Sequence, residues 1–164
     1  MRFRDRDESS PGGTLVMKEV MLPVCSPGYM SETEPARGNT IIRLVDTPGD
    51  WAADYPHFLT GRRGPSKALS FTDYAVVVQA ALLGQGIALG WLTVASRWLL
   101  TGALVPASEA LTTTRRICEF LPPRNLPMRP VAAEIQDWIT EQMRGEIAKI
   151  ERLHPRLGLM AACY

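Results

Sequence analysis

Thr72 and Asp73 stand immediately before an almost wholly apolar run, Tyr74 to Leu83, which halts at Gly84 and Gly86. Side chains of both types accept hydrogen bonds from backbone N–H groups, so either is a candidate N-cap of a helix. The first turn of such a helix leaves N–H groups without intrahelical partners and carries a partial positive charge. Joined by the Thr72 hydroxyl, those groups can hold a carboxylate or another polar group of a small molecule. The charge term stabilises an exposed anion by about 0.3–1 kcal/mol, rising to about 2 kcal/mol when partly buried. Asp73 constrains this chemistry, because its own charge suits the helix end but repels an anion unless the side chain turns aside. Capping without any ligand accounts for the same two residues.

Covalent chemistry would need a nucleophile with a base in reach. The candidates are Cys25 and Ser26 with His57 or His154. Neither histidine has the spacing of a nucleophile elbow or triad; both read as packing or surface groups. Cys25, at a strand end between Val24 and Ser26, reads as a small buried hydrophobe. Cys25, Cys118 and Cys163 are widely spaced, with no CxxC and no Cys/His cluster. That pattern predicts free thiols in a reducing cytoplasm and no structural zinc. No metal or cofactor is expected, and the chain does not read as an enzyme.

The elements that must position these residues can be followed along the chain. The opening MRFRDRDESSPGG is polar and reads as a frayed strand or loop. A strand over Glu19–Val24 stops at Ser26-Pro27-Gly28, where Ser26 can cap a short helical turn with Pro27 in first position. Thr40 to Val45 reads as a buried strand, closed by the turn signature Asp46-Thr47-Pro48-Gly49. GRRGPSK, residues 61–67, reads as a loop. The helix that follows is apolar around most of its girth, with Gln79 nearly its lone polar residue, so it must be covered on more than one side. Gly84 and Gly86 are expected to end it as left-handed residues. Ile87–Trp91 then reads as a strand, Thr93–Leu100 as a helix stopped at Gly102, and Ala103–Val105 and Arg115–Leu121 as strands. Pro130 to Leu153 forms a long amphipathic helix, in which Ile135, Trp138, Ile139, Met143, Ile147 and Ile150 recur at helical spacing. Helices alternating with short apolar strands predict an α/β fold with at least part of the sheet parallel.

The totals exclude several classes. Lys and Arg number 18 against 17 Asp and Glu, which gives no electrostatic footprint for nucleic acid. No apolar run is long enough to cross a bilayer, and the first residues lack the apolar centre of a signal peptide. A soluble, cytoplasmic protein is expected.

The order of these pieces resembles the effector-sensing domain of LysR-type transcriptional regulators, in the subgroup of the glycine-cleavage activator. The residues that carry the resemblance are FTDYAVVVQAALLGQGIALGW (71–91) with its following helix and TGALVPA, preceded by LPVCSPGYM and IRLVDTPGDW. Downstream, RRICEFL and PVAAEIQDWITEQM, with its Asp137-Trp138 pair, are similar to the closing elements. Roughly residues 15 to 145 are spanned in order. The resemblance implies a fold like that of type 2 periplasmic binding proteins, two α/β lobes joined by two crossovers, with a small-molecule effector in the cleft. It implies one complete lobe at 21–102 and an incomplete second lobe formed by 1–20 and 103–164. Residues facing the cleft would be Ser26, Asp46 or Thr47, Phe71, Thr72 and Asp73, with Trp91 either walling the pocket or serving as ordinary core. The family's winged helix-turn-helix, through which DNA would be bound, has no counterpart in these 164 residues. An N-terminally truncated regulator that exposes apolar surface and forms a homo-oligomer is therefore expected. Effector binding would shift the populations of lobe or subunit arrangements and so alter transcription. A stand-alone solute-binding protein or a protein-interaction module built on the Pro130 helix are the rival readings, ahead of a hydrolytic enzyme.

Overall fold

A computed structural model describes residues 1–8, 12–32, 40–45, 67–121 and 127–164. They gather into two compact units: Met1–Val20 with Thr112–Tyr164, and Met21–Leu111. The resemblance put the second of these boundaries at 102–103.

The unit Met21–Leu111 contains the organised segment of the sequence. Strand β2, Thr14–Cys25, contributes its last five residues here and its earlier ones to the other unit. Helix α1 (Pro27–Glu32), strands β3 (Thr40–Leu44) and β4 (Lys67–Phe71), helix α2 (Tyr74–Leu82), strand β5 (Ile87–Trp91), helix α3 (Leu92–Thr101) and the two-residue strand β6 (Val105–Pro106) follow. The strand order is β2-β5-β3-β4, with β6 against the end of β2. β2 and β5 are antiparallel, from Met21↔Trp91 to Val24↔Ala88, whereas β5, β3 and β4 are mutually parallel. Two parallel strands need a crossover between them, and α2 supplies it between β4 and β5.

Local chemistry explains these boundaries. Asp73, extended at φ −118°, caps α2. Gly84 leaves it at φ +73°, a conformation that costs other residues a Cβ clash. Gly86 differs from the expectation, since its φ is not left-handed. A Cβ there would lie 2.5 Å from the Thr40 carbonyl oxygen, so what requires glycine is the close approach of β3. Helix α2 buries Val77, Val78, Ala80 and Ala81, while Val76 and Leu83 face solvent. One broad face is covered, against the expectation of cover on more than one side. Strand β4 begins at Lys67, within the segment read as loop; its Lys-Ala-Leu-Ser-Phe sequence lacks the β-branched signal.

The other unit consists of strand β1 (Arg2–Asp5), the first part of β2, strand β7 (Thr112–Phe120), helix α4 (Pro130–Leu153) and the short helix α5 (Leu159–Cys163). β7 lies between β1 and β2, with β1 antiparallel to it from Arg2↔Glu119 to Asp5↔Arg116. Met17, Val20, Cys118, Ile147, Ile150 and Leu159 are buried. Of the apolar stripe read along α4, Ile147 and Ile150 are buried, whereas Ile135 and Trp138 are exposed. Among the described residues, no helix is long and apolar enough to cross a membrane.

Candidate functional site

Because β3, β4 and β5 are parallel, Leu44, Phe71 and Trp91 end at one edge of the unit Met21–Leu111. At that edge β3 and β5 part. Their pairing stops at Ile42↔Ala88, while β3 stays with β4 as far as Leu44↔Phe71. The parting exposes backbone polar groups of β5. Pro23, opposite Leu89, has no N–H to give, and its carbonyl is taken by the Ala107 N–H at 2.8 Å. Leu89 and Trp91 therefore turn their backbone groups toward the gap that β3 has left, where they need partners.

Tyr74, the first residue of α2, supplies them. Its hydroxyl donates to the Leu89 carbonyl at 3.1 Å and accepts the Trp91 N–H at 2.9 Å. Its ring meets the Trp91 indole edge-on, with centroids 4.5 Å apart at 78°. Burial pushes the phenol up to about 12, opposed by the hydrogen bond from Trp91. Tyr74 is thus a neutral, fully engaged brace that pins the head of α2 to the end of β5. The sequence does not single it out; its one signal is a lone phenol directly after the cap of an aliphatic helix.

At the head of α2, Asp73 turns its carboxylate onto the helix and accepts the Ala75 N–H at 2.8 Å. The first intrahelical bond runs from the Val77 N–H to the Asp73 carbonyl at 3.2 Å. The N–H groups of Tyr74 and Val76 have no partner among the described residues. Thr72 is exposed and does not cap, so its hydroxyl stands open beside them. Phe71 is half-buried, and its carbonyl accepts the Val45 N–H at 2.7 Å. That bond brings the chain just ahead of Asp46 to the same edge; Asp46 and Thr47 themselves lie outside the described residues. Trp91 is half-buried, packed edge-on against the Tyr74 ring.

Ser26 belongs elsewhere. Following Cys25 at the end of the antiparallel β2, it lies at the edge where β3 and β5 begin. Its buried hydroxyl accepts the Tyr29 N–H at 3.2 Å, capping α1 with Pro27 in first position as the residue types suggested. It is near the tail of α2 instead of its head: a Cβ on Gly84 would come within 3.2 Å of the Ser26 oxygen. Nine helical residues, about 13 Å of rise, separate the two ends. The structure thus gathers Phe71, Thr72, Asp73 and Trp91, adds Tyr74 and withdraws Ser26.

Nothing in this arrangement assembles a nucleophile with its base. Cys25 is buried, the Ser26 hydroxyl is engaged, and His57 lies outside the described residues. His154 belongs to the other unit, where burial lowers its pKa. No group of three or more His, Cys, Asp or Glu among the described residues could hold a metal ion.

No protein-family model matches the chain, and no curated protein does. Solved structures do. The effector domain of the transcriptional regulator AmpR of Pseudomonas aeruginosa superposes with a TM-score of 0.54 at 16% identity, over 88% of this chain and 70% of that one. The AmpR effector-binding domain of Citrobacter freundii gives 0.50 at 19%, over 81% and 68%. The fold is that of LysR-type effector-binding domains. A third relative in fold is the full-length LTTR LysG of Corynebacterium glutamicum with bound effector Arg, at 0.51 and 15% identity; the match covers 83% of this chain and 49% of LysG. The α/β architecture is accordingly the one shared with type 2 periplasmic binding proteins.

Proposed function

We propose that this chain is the effector-sensing part of a LysR-type transcriptional regulator, in which a small molecule is held at the edge where β3 and β5 part. The observation that carries the reading is the head of α2. Two backbone N–H groups and the Thr72 hydroxyl stand open there, on a helix fixed in place by Tyr74. Likeness in fold to effector domains of AmpR and to LysG with its bound Arg supports it. The ligand offers a carboxylate or other hydrogen-bond acceptor to the open N–H groups. Asp73, bonded to Ala75, has turned onto the helix as that requires, yet its charge favours a ligand that also bears a cationic group, such as an amino acid. Trp91 and Phe71 border the apolar part of the ligand. In the intact regulator the ligand would bias one arrangement of lobes or subunits over another and so change transcription, with DNA contacted by another domain. The subgroup of the glycine-cleavage activator and a cytoplasmic location are part of this proposal.

Thermal-shift measurements with a panel of amino acids and aromatic acids test it. A ligand at a hundred times its Kd should stabilise the protein by about 2.7 kcal/mol. Thr72→Val should weaken that ligand about fivefold, the worth of one hydrogen bond of about 1 kcal/mol. Being an exposed site, it should leave the ligand-free stability within about 0.5 kcal/mol of the parent. Equal stabilisation of parent and variant would remove Thr72 from the site, and a panel without any stabilising member would remove the sensing of such acids.

A further inference from the structure

Arg43 is a cation that the unit Met21–Leu111 leaves without a partner. It is the fourth residue of the five-residue strand β3 and is half-buried. Its Nε is shut off from solvent and makes no hydrogen bond, and no ion pair reaches the guanidinium among the described residues. A guanidinium keeps its charge in a protein, so Arg43 does not escape desolvation by losing a proton, as a buried lysine does. A half-buried charge that lacks a counter-charge costs stability, and such a group in a folded protein calls for a reason. The two buried carboxylates of the other unit show the contrast, since each has its arginine.

The place of Arg43 supplies the reason. It is the first residue of β3 beyond the last β3–β5 pair, Ile42↔Ala88, and so stands where the two strands part. Alternation puts its side chain on the face of Ile41, and the register sets Ser70 of β4 directly opposite it on that face. One strand spacing, about 4.8 Å, separates the two backbones. Ser70 is exposed, and its hydroxyl has no partner among the described residues. Phe71, Thr72 and Asp73 follow Ser70 directly. The guanidinium and this hydroxyl therefore border the same parallel edge as the open N–H groups of Tyr74 and Val76.

We infer that Arg43 and Ser70 form a second anion subsite at this edge, and that the effector is an amino acid with an acidic side chain. The inference rests on the reading of the edge as the effector site. Three charged groups of such a ligand then have distinct places. Its α-carboxylate takes the open amides at the head of α2 and the Thr72 hydroxyl, and its ammonium group lies toward Asp73. Its side-chain carboxylate supplies the counter-charge that Arg43 lacks. The terminal nitrogens of Arg43 are not closed off as Nε is, so they meet that carboxylate end-on, in a fork of two parallel N–H bonds. The Ser70 hydroxyl donates a third bond. An amide in place of the acid offers one oxygen and no charge, which is the basis of discrimination.

Isothermal titration of the full chain with L-glutamate, L-aspartate, L-glutamine and L-asparagine tests this. One of the two acids should bind at least about tenfold more tightly than its own amide. Arg43→Met should weaken that acid about 30-fold and leave the amide within about twofold, so that the preference disappears. Ser70→Ala should weaken the acid about threefold. Without ligand, Arg43→Met should melt no lower than the parent, because methionine keeps an apolar stem and takes away the unpaired charge. A clearly lowered melting temperature would show that Arg43 serves the fold and would overturn the assignment. Acid and amide bound alike, with Thr72→Val weakening both, would overturn it too while leaving the effector edge at the head of α2 intact. Failure of all four amino acids to bind would also overturn it, and the wider panel with Thr72→Val then decides whether the edge holds another ligand. Binding of the acid that neither Arg43→Met nor Thr72→Val alters would remove both readings.

Discussion

The two units meet their polar demands in different ways. In Met21–Leu111 the Ser26 hydroxyl is buried and bonded and the Tyr74 hydroxyl braces the sheet edge, while the half-buried Arg43 keeps its Nε out of solvent without a hydrogen-bond partner among the described residues. The other unit buries two carboxylates, Glu19 at 5% and Glu119 at 2% exposure. Arg116 lies 3.4 Å from Glu19 and Arg4 3.6 Å from Glu119, while Thr114 donates its hydroxyl to Glu19 at 2.7 Å. Those pairs tie β1, β7 and β2 together side chain to side chain. The difference teaches how each unit meets the polar groups its sheet encloses. In Met21–Leu111 the sheet is held by neutral groups and backbone bonds, and the amides at the head of α2 stand open at its parallel edge. The other unit pairs its buried carboxylates with arginines and leaves Val131, Ile135 and Trp138 of α4 exposed.

That contrast can be broken most severely at Gly86. An alanine there would press its Cβ against the Thr40 carbonyl and push β3 away from the start of β5. Gly86→Ala should cost about 3 kcal/mol in urea unfolding; a loss below about 1 kcal/mol would show that β3 gives way freely. Next in size is Tyr74→Phe, which leaves the Leu89 carbonyl and the Trp91 N–H unmet and should cost about 2 kcal/mol. It also has a pH signature. The folded protein holds the Tyr74 proton more tightly, about 12 against 10.0, so its contribution is whole below pH 10 and is lost as pH climbs from 10 to 12. Tyr74→Phe should flatten that alkaline fall in stability, and identical slopes would mean that the phenol is no brace. The smallest effect belongs to the charged unit. Thr114→Val removes one donor from Glu19 but leaves Arg116, and should cost about 1 kcal/mol, with Thr114→Ser close to the parent. A larger loss from Thr114→Val than from Tyr74→Phe would reverse the ranking of the two units.

Much of this was legible in the residues. Ser26 with Pro27, Asp73 before an apolar run, Gly84 after it, and Pro130 opening a long helix are local signals whose mechanism acts within a turn or two. They serve as cap, cap, stop and start, with the structure choosing Asp73 over Thr72. β4 escaped because Lys67–Phe71 becomes a strand by lying beside β3, a contact invisible in its own composition. Part of the site escaped for the same reason. Thr72 and Asp73 stood out as neighbours of a helix start, but Tyr74 acquires its role from Leu89 and Trp91, fifteen and seventeen residues on. Ser26 was assigned to the site by resemblance, and only the strand register shows it at the opposite edge.

By itself, then, the sequence determined an α/β alternation without β4, the starts of α1, α2 and α4 and the stops of α2 and α3, because caps, breakers and periodicity are short-range chemistry; the family of folds came from a resemblance spread along the chain. The tertiary structure decided which strand ends part, which hydroxyl bridges them, why Gly86 carries no side chain, and which face of α4 is left without cover. Those depend on groups distant along the chain meeting across a strand pairing or a helix face, where a fraction of an ångström separates contact from clash.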